Sequence, residues 1–389
     1  MRRLLALAAA LALPAPPTIA ADLATPAADP TLYRPVDADE RGLWMQMDEA
    51  ERAMRTSPMV IRDPALNAYV RSVLCKVTGE DRCHNIRLYI VRTADFNAAM
   101  APNGMLEVWS GLLLRVQNEA QLAAVLGHEY THFEQRHSLR LFRDAREKSN
   151  AAGWLAMLPF GGIVSLGILT GVFEFSREME HDADTGGLDK MARANYDTRE
   201  AAAIWERLRA EMDATAAARG TRSRKDKDRG IFATHPPTAE RVAYLRDMAQ
   251  RQPGHPGATG LAAYRQALAP YWPMFLDDQL KRNDLGAGEY LLQNMAGPDP
   301  GGWTPGLLYA RGELYRRRAA PGDLEKAAGF YSDAIRQGGD VPEVWRGRGL
   351  TELKLGQDGA GKTDLAEYLK RAPGASDHAM MAMMAGGNP

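Results

Sequence analysis

The spacing of apolar residues divides the chain before any motif is considered. Leu66 to Val77 (LNAYVRSVLCKV) places apolar side chains at helical intervals and predicts an amphipathic helix. Ile86 to Val91 (IRLYIV) and Met105 to Trp109 (MLEVW) are short runs of β-branched, aliphatic and aromatic residues and predict strands. Glu119 to about Arg146 reads as helix. This dense apolar patterning runs from Gly42 to about Gln252. Within it, the charged stretch Arg219 to Gly230 predicts a solvated loop rather than a site for an acidic partner. Gln252 to Gly260 (QPGHPGATG) then marks a boundary with Pro and Gly.

Beyond Leu261 the pattern is helical throughout. Leu307 to Ile335 resembles Val344 to Pro373, and Gly312 and Gly349 lie 37 residues apart. That spacing is near the period of about 34 expected of tetratricopeptide repeats. Residues 275–296 read as a degenerate hairpin of the same kind. Each such hairpin buries its apolar face only by stacking on a neighbour. Arg348 and Tyr368 stand where the repeat pattern expects apolar or small residues.

The two ends read differently. Arg2 and Arg3, the apolar run Leu4 to Leu13, and then Pro14, Pro16 and Pro17 ahead of small residues have the parts of a secretory signal peptide cleaved near Ala20 or Ala21. A buried N-terminal helix is the alternative. The expected organisation is a signal peptide (1–20), a flexible lead-in (21–40), a first domain (41–253), a helical repeat domain (258–375) and a disordered tail (376–389). The expected fold class is α+β, mainly α, with one small sheet. With 48 Lys and Arg against 49 Asp and Glu, the net charge is -1, which argues against a nucleic-acid partner. The two cysteines, Cys75 and Cys83, cannot build a disulfide scaffold. Export makes a single Cys75–Cys83 disulfide plausible, with two buried thiols as the alternative.

Chemistry concentrates at His128-Glu129-Tyr130-Thr131-His132. On a helix, positions i and i+4 share a face, so both imidazoles can address one metal ion while Glu129 projects beside them. Two histidines do not suffice for a catalytic zinc, which takes three protein ligands. A metzincin would need His at position 138 and Gly at 135, where this chain has Ser138 and Gln135. His137 comes one residue early and is expected to point elsewhere on the helix. The alternative third ligand is Glu180, from Ser176 to Asp184 (SREMEHDAD). Asp184 shares its face and can accept the ring N–H of a ligand histidine. Taken alone, that segment reads as a solvated acidic helix face; the upstream motif is what favours the ligand reading. His181 lies off the Glu180–Asp184 face and is not expected to bind the metal.

These residues resemble the gluzincin metallopeptidases that include HtpX, the CAAX prenyl proteases and mitochondrial Oma1. The resemblance spans roughly residues 42–250. It includes Asn97-Ala98, Gly104, Gly111-Leu112-Leu113, the His128 to His132 motif, Ser176-Arg177 ahead of Glu180 and Asp184, and His235-Pro236 followed by Arg241. The chain departs from the family pattern at Tyr130 and His181. A signal peptide with C-terminal repeats is most similar to the periplasmic β-barrel-assembly-enhancing branch. The resemblance implies Zn²⁺ on His128, His132 and Glu180, with Glu129 as general base in peptide hydrolysis. His235 and Arg241 are candidates to stabilise the oxyanion, and His235 alternatively closes the zinc's open position. It also implies a periplasmic enzyme acting on unfolded or misassembled envelope proteins, with repeats that recruit substrates or an outer-membrane assembly complex. Met105 to Trp109 reads equally as an edge strand that pairs with an extended substrate or as an inner strand.

Ser149 to Phe173 carries no charge and is long enough to span a bilayer. A single crossing would separate Lys148 from Glu174 by about 30 Å, whereas the flanking helices must meet at one ion. The expectation is a broken hairpin that covers the site or touches a membrane peripherally, against simple core burial. Two rivals stand beside the protease reading: a non-catalytic assembly factor with a zinc-stabilised fold, and an integral-membrane protease.

Overall fold

The computed structural model describes residues 34–148, 175–223, 225, 238–252, 256–338 and 341–387. The signal-peptide segment, most of the lead-in, the apolar stretch 149–173 and His235 lie outside the described residues. The described chain is mainly helical with one small sheet.

Helix α1 (Ala38–Thr56) is capped by Asp37, whose side chain accepts from the Glu40 amide. This helix thus starts inside the segment expected to be a flexible lead-in, and Glu40 is already buried. Helix α2 (Pro64–Thr78) starts with Pro64 in its first turn and Asp63 as its cap. The short helix α3 (Glu80–Cys83) follows, and a disulfide joins Cys75 to Cys83.

Three strands come next: β1 (Arg87–Val91), β2 (Ala98–Met100) and β3 (Met105–Trp109). Their order is β1-β3-β2, with β1 parallel and β2 antiparallel to β3. The run Met105 to Trp109 is therefore the inner strand, and β2 forms an edge. Glu107 faces Tyr89 on one side and Ala99 on the other.

After α4 (Ser110–Arg115) comes α5 (Glu119–Glu134), capped by Asn118. Every residue of α5 from Glu119 to His132 is buried, so the helix runs through the core and shows no polar stripe. Buried polar groups need partners. Glu119 meets Tyr69, Lys76 and Tyr196; Gln121 meets Glu200; Thr131 meets Lys190. His128, Glu129 and His132 form the chemical face of the same helix.

The single helix expected from Glu119 to Arg146 is two helices. Arg136 takes a left-handed conformation (φ 55°), ending α5 and starting α6 at His137 (His137–Lys148). The next helices are α7 (Arg177–Arg193), α8 (Glu200–Ala218) and α9 (Ala239–Arg251).

The boundary segment is pinned to this framework. Ala258 pairs with Tyr196, and the Ala120 amide donates to the Thr259 carbonyl. Helices α10 (Leu261–Leu268), α11 (Trp272–Leu280) and α12 (Leu285–Ala296) extend the same core, which runs from Leu66 through Tyr264 and Phe275 to Leu314. Two helical hairpins follow: α13 (Pro305–Arg318) with α14 (Asp323–Arg336), and α15 (Glu343–Lys354) with α16 (Asp358–Arg371). Gly312 and Gly349 hold equivalent places in them. A Cβ on Gly312 would lie 2.4 Å from the Tyr331 ring, and one on Gly349 would lie 2.9 Å from the Gly361 carbonyl. Both glycines thus allow the two helices of a hairpin to approach closely. The two off-pattern residues have specific partners: Arg348 pairs with Asp364, and Tyr368 donates its hydroxyl to Asp377.

The tail expected to be disordered is helical over α17 (His378–Met384). Met381 is buried there against the cluster that contains Leu365 and Tyr368. The apolar spacing of a short Met-rich segment is enough to dock it once that hairpin offers a surface.

Candidate metal centre

Helices α5 and α7 cross closely at the site. Gly127 faces Gly187, and a Cβ on Gly187 would lie 3.1 Å from the His128 amide nitrogen. A Cβ on Gly186 would lie 2.5 Å from the Thr131 side chain. Only bare backbone on α7 permits this approach. Lys190 then ties the helices together, donating to Thr131 and, at 2.8 Å, to Glu134. Its ammonium also lies 5.5 Å from the centre of the Tyr130 ring, which gives the off-pattern tyrosine a partner.

The crossing unites residues from two distant segments. Nε2 of His128 and Nε2 of His132 are 3.0 Å apart. Glu180 presents Oε1 at 3.5 Å from His132 Nε2 and Oε2 at 3.7 Å from His128 Nε2. One donor atom from each of the three residues lies within 4.8 Å of the others. A tetrahedral ion with bonds of about 2.0–2.1 Å holds neighbouring ligand atoms about 3.3 Å apart, so this donor set can hold a metal. Glu129 is buried beside it and lines a cleft with Asn97, Ala98, His128, Trp205 and Arg241.

Asp184 stands behind His128. Its Oδ1 is 2.9 Å from His128 Nδ1, on the ring edge away from the proposed ion. A hydrogen on Nδ1 would point at Asp184 and leave the Nε2 lone pair facing the donor cluster. Arg241 donates Nε and Nη2 to the two Asp184 oxygens at 2.8 and 2.6 Å, and Tyr244 donates its hydroxyl to Oδ2. Burial alone would raise the Asp184 carboxyl, but the Arg241 guanidinium and the His128 N–H hold it well below the usual range. Arg241 also places Nη1 3.4 Å from Glu180 Oε2 and stacks over Trp205 at 3.9 Å. The structure therefore engages Arg241 with carboxylates.

Residues 60–249 match the family model described as Peptidase family M48. This region belongs to that family. The chain is 27% identical over 221 residues to a putative beta-barrel assembly-enhancing protease of Vibrio cholerae, and 26% identical over 227 residues to the beta-barrel assembly-enhancing protease of Escherichia coli. These matches cover 53% and 54% of the chain and 44% of each relative. It is 31% identical over 187 residues to the mitochondrial metalloendopeptidase OMA1 of Schizosaccharomyces pombe, covering 46% of the chain and 52% of that relative. The chain thus spans about half the length of the curated relatives it matches.

Within the M48 region, the structure brings together His128, His132, Glu180, Glu129, Asp184 and Arg241. His181 is exposed beside Tyr244, away from the donor set, as its helix position predicts. His137 departs from expectation. The turn at Arg136 swings it back beneath the site, with Nδ1 2.9 Å from His132 Nδ1. Phe175 stacks on the His132 ring at 4.0 Å. Trp205 and Phe175 carry no motif that points to them. Tyr244 has one weak signal, its place three residues after Arg241 on the same helix face.

Proposed function

We propose that this protein is an exported zinc metalloendopeptidase acting on misfolded or misassembled envelope proteins. The carrying observation is the convergence of His128, His132 and Glu180 beside a buried glutamate on the same helix turn. Zn²⁺ held by these ligands supplies Lewis acidity, which lowers the pKa of a water and polarises a peptide carbonyl. Glu129 takes the proton from the attacking water and delivers it to the departing amine. Asp184 fixes the His128 ring, and Arg241 neutralises the buried carboxylates. His235 remains a candidate for stabilising the oxyanion or for closing the site.

Substrate binding is assigned to strand β2. It lies at the sheet edge, and Asn97 and Ala98 line the same cleft as His128 and Glu129. An extended polypeptide added to that edge is held through its backbone, which suits unfolded substrates of varied sequence. The two C-terminal hairpins, read as tetratricopeptide-like repeats, are assigned to recruiting substrates or an outer-membrane assembly complex. A groove of about 970 Å³, lined by Trp272, Tyr309, Arg317 and Arg346 among others, supports that reading. Relatives named as beta-barrel assembly-enhancing proteases support the envelope setting. The Cys75–Cys83 disulfide fits an oxidising compartment such as the periplasm. Among the described residues, no helix is long and apolar enough to cross a membrane.

The test is cleavage of casein or an unfolded outer-membrane protein by the purified protein and by Glu129→Gln. The variant is expected to bind zinc normally and to lose cleavage. Equal cleavage by both proteins removes Glu129 from the mechanism.

A further inference from the structure

We propose that His137 is the positioning residue for His132, accepting a hydrogen bond from its ring and fixing that ring toward the metal. The proposal rests on the metal reading of the three ligands and extends it to a residue outside the motif.

The ring nitrogens carry the argument. His132 turns Nε2 toward His128 and Glu180. An imidazole that offers the Nε2 lone pair to an ion keeps its hydrogen on Nδ1. That Nδ1 lies 2.9 Å from Nδ1 of His137. Two donors cannot share this contact, so His137 must present a bare Nδ1 and carry its own hydrogen on Nε2. The rings meet edge to face, with centroids 5.0 Å apart and planes at 75°.

The chain is shaped to make this contact. On an unbroken helix, residue i+5 would lie about 140° around the axis from His132. The left-handed Arg136 breaks the helix and returns His137 to its neighbour. His137 is completely buried, and its Nε2 has no hydrogen-bond partner among the described residues. A buried polar atom without a partner is costly, so the contact on the other side of the ring has to justify the burial. Phe175, stacked on the His132 ring, limits that ring's rotation.

The two ligand histidines thus have unlike supports. His128 rests on the anionic Asp184, whose charge Arg241 balances. His132 rests on a neutral imidazole. Glu129, Glu180 and Asp184 already bring three carboxylates into one buried site. A neutral acceptor orients the second ligand without adding a fourth negative charge that would itself need a counter-ion.

The first experiment uses the wild-type full chain. ¹⁵N-histidine NMR of the zinc-loaded protein is expected to show His137 protonated on Nε2 and bare on Nδ1, with coupling across the contact to His132 Nδ1. A His137 protonated on Nδ1 overturns the proposal. The second experiment measures zinc affinity by chelator competition and records the Co²⁺ absorption spectrum of the metal-exchanged protein. His137→Leu, which cannot accept, is expected to lose about 10- to 100-fold in affinity and to shift the Co²⁺ bands. His137→Asn, whose amide oxygen can stand near the Nδ1 position, is expected to stay within a few-fold of wild type. Unchanged affinity and spectrum in His137→Leu, or equal losses in both variants, overturn the proposal. A wild-type protein that holds no zinc lost in His128→Ala overturns the underlying metal reading as well, so the two failures are distinguishable.

Discussion

The Asp184 carboxylate lies 2.9 Å from Nδ1 of His128 and holds the Arg241 guanidinium on both of its oxygens. One buried side chain therefore links a metal-ligand candidate on α5 to a cation on α9. Asp184→Ala is expected to weaken zinc binding about 10- to 100-fold, because His128 loses the acceptor that orients it. It also strands the buried Arg241 charge, so the fold is expected to lose about 3–5 kcal/mol. Asp184→Asn keeps an acceptor and should lose less affinity. Chelator competition and denaturant melts of the metal-free protein separate the two effects.

The close crossing of α5 and α7 is equally exposed to test. Gly187→Ala puts a methyl group against the His128 backbone, where a Cβ would stand 3.1 Å from the amide nitrogen. The helices must part by a few tenths of an ångström. A loss of about 1–3 kcal/mol in stability is expected, typical of overpacking. Zinc affinity should fall with it, because Glu180 rides on the displaced helix. Thermal melts and zinc titration of Gly187→Ala and wild type check both effects.

Glu107 gives a pH dependence. It lies on the inner strand, 1% exposed, and its Oε2 has no hydrogen-bond partner among the described residues. Burial pushes its carboxyl up from the usual 4.5 to about 7. The folded state therefore holds a proton that the unfolded chain releases, and stability falls as pH rises from about 4.5 to about 7. The contribution is roughly 3 kcal/mol, at about 1.4 kcal/mol for each tenfold change in proton affinity. Glu107→Gln keeps the neutral shape and should flatten this slope, making the protein relatively more stable at pH 8. Denaturant melts at pH 5, 6, 7 and 8 check the sign.

Removing the disulfide tests a smaller effect. Cys75 and Cys83 are eight residues apart, so the bridge closes only a short loop. A Cys75→Ser, Cys83→Ser double variant is expected to lose on the order of 2 kcal/mol while keeping zinc and cleavage. Urea melts under oxidising and reducing conditions check this.

Much of the fold and site is legible in the sequence because the signals are local. The strand at Met105 to Trp109, the helix at Leu66 to Val77 and the ligand spacing of His128 and His132 each follow from neighbours along the chain. Glu180 and Asp184 are legible because both lie on one face of a single helix. The place of His137 is not, because it depends on a left-handed Arg136, and nothing in the sequence marks that residue as a break. The place of Met105 to Trp109 within the sheet stays open on sequence alone for a related reason, since strand order is set by long-range pairing. The docking of α17 likewise depends on a surface built by Leu365 and Tyr368 on another helix.

The central claim is that His128, His132 and Glu180 hold one ion. Metal analysis of the purified protein, with His128→Ala and Glu180→Gln prepared in parallel, tests it most directly. One zinc per chain in the wild type, lost or strongly weakened in both variants, is the expected result. A wild-type protein without stoichiometric metal, or variants that keep it unchanged, would contradict the account.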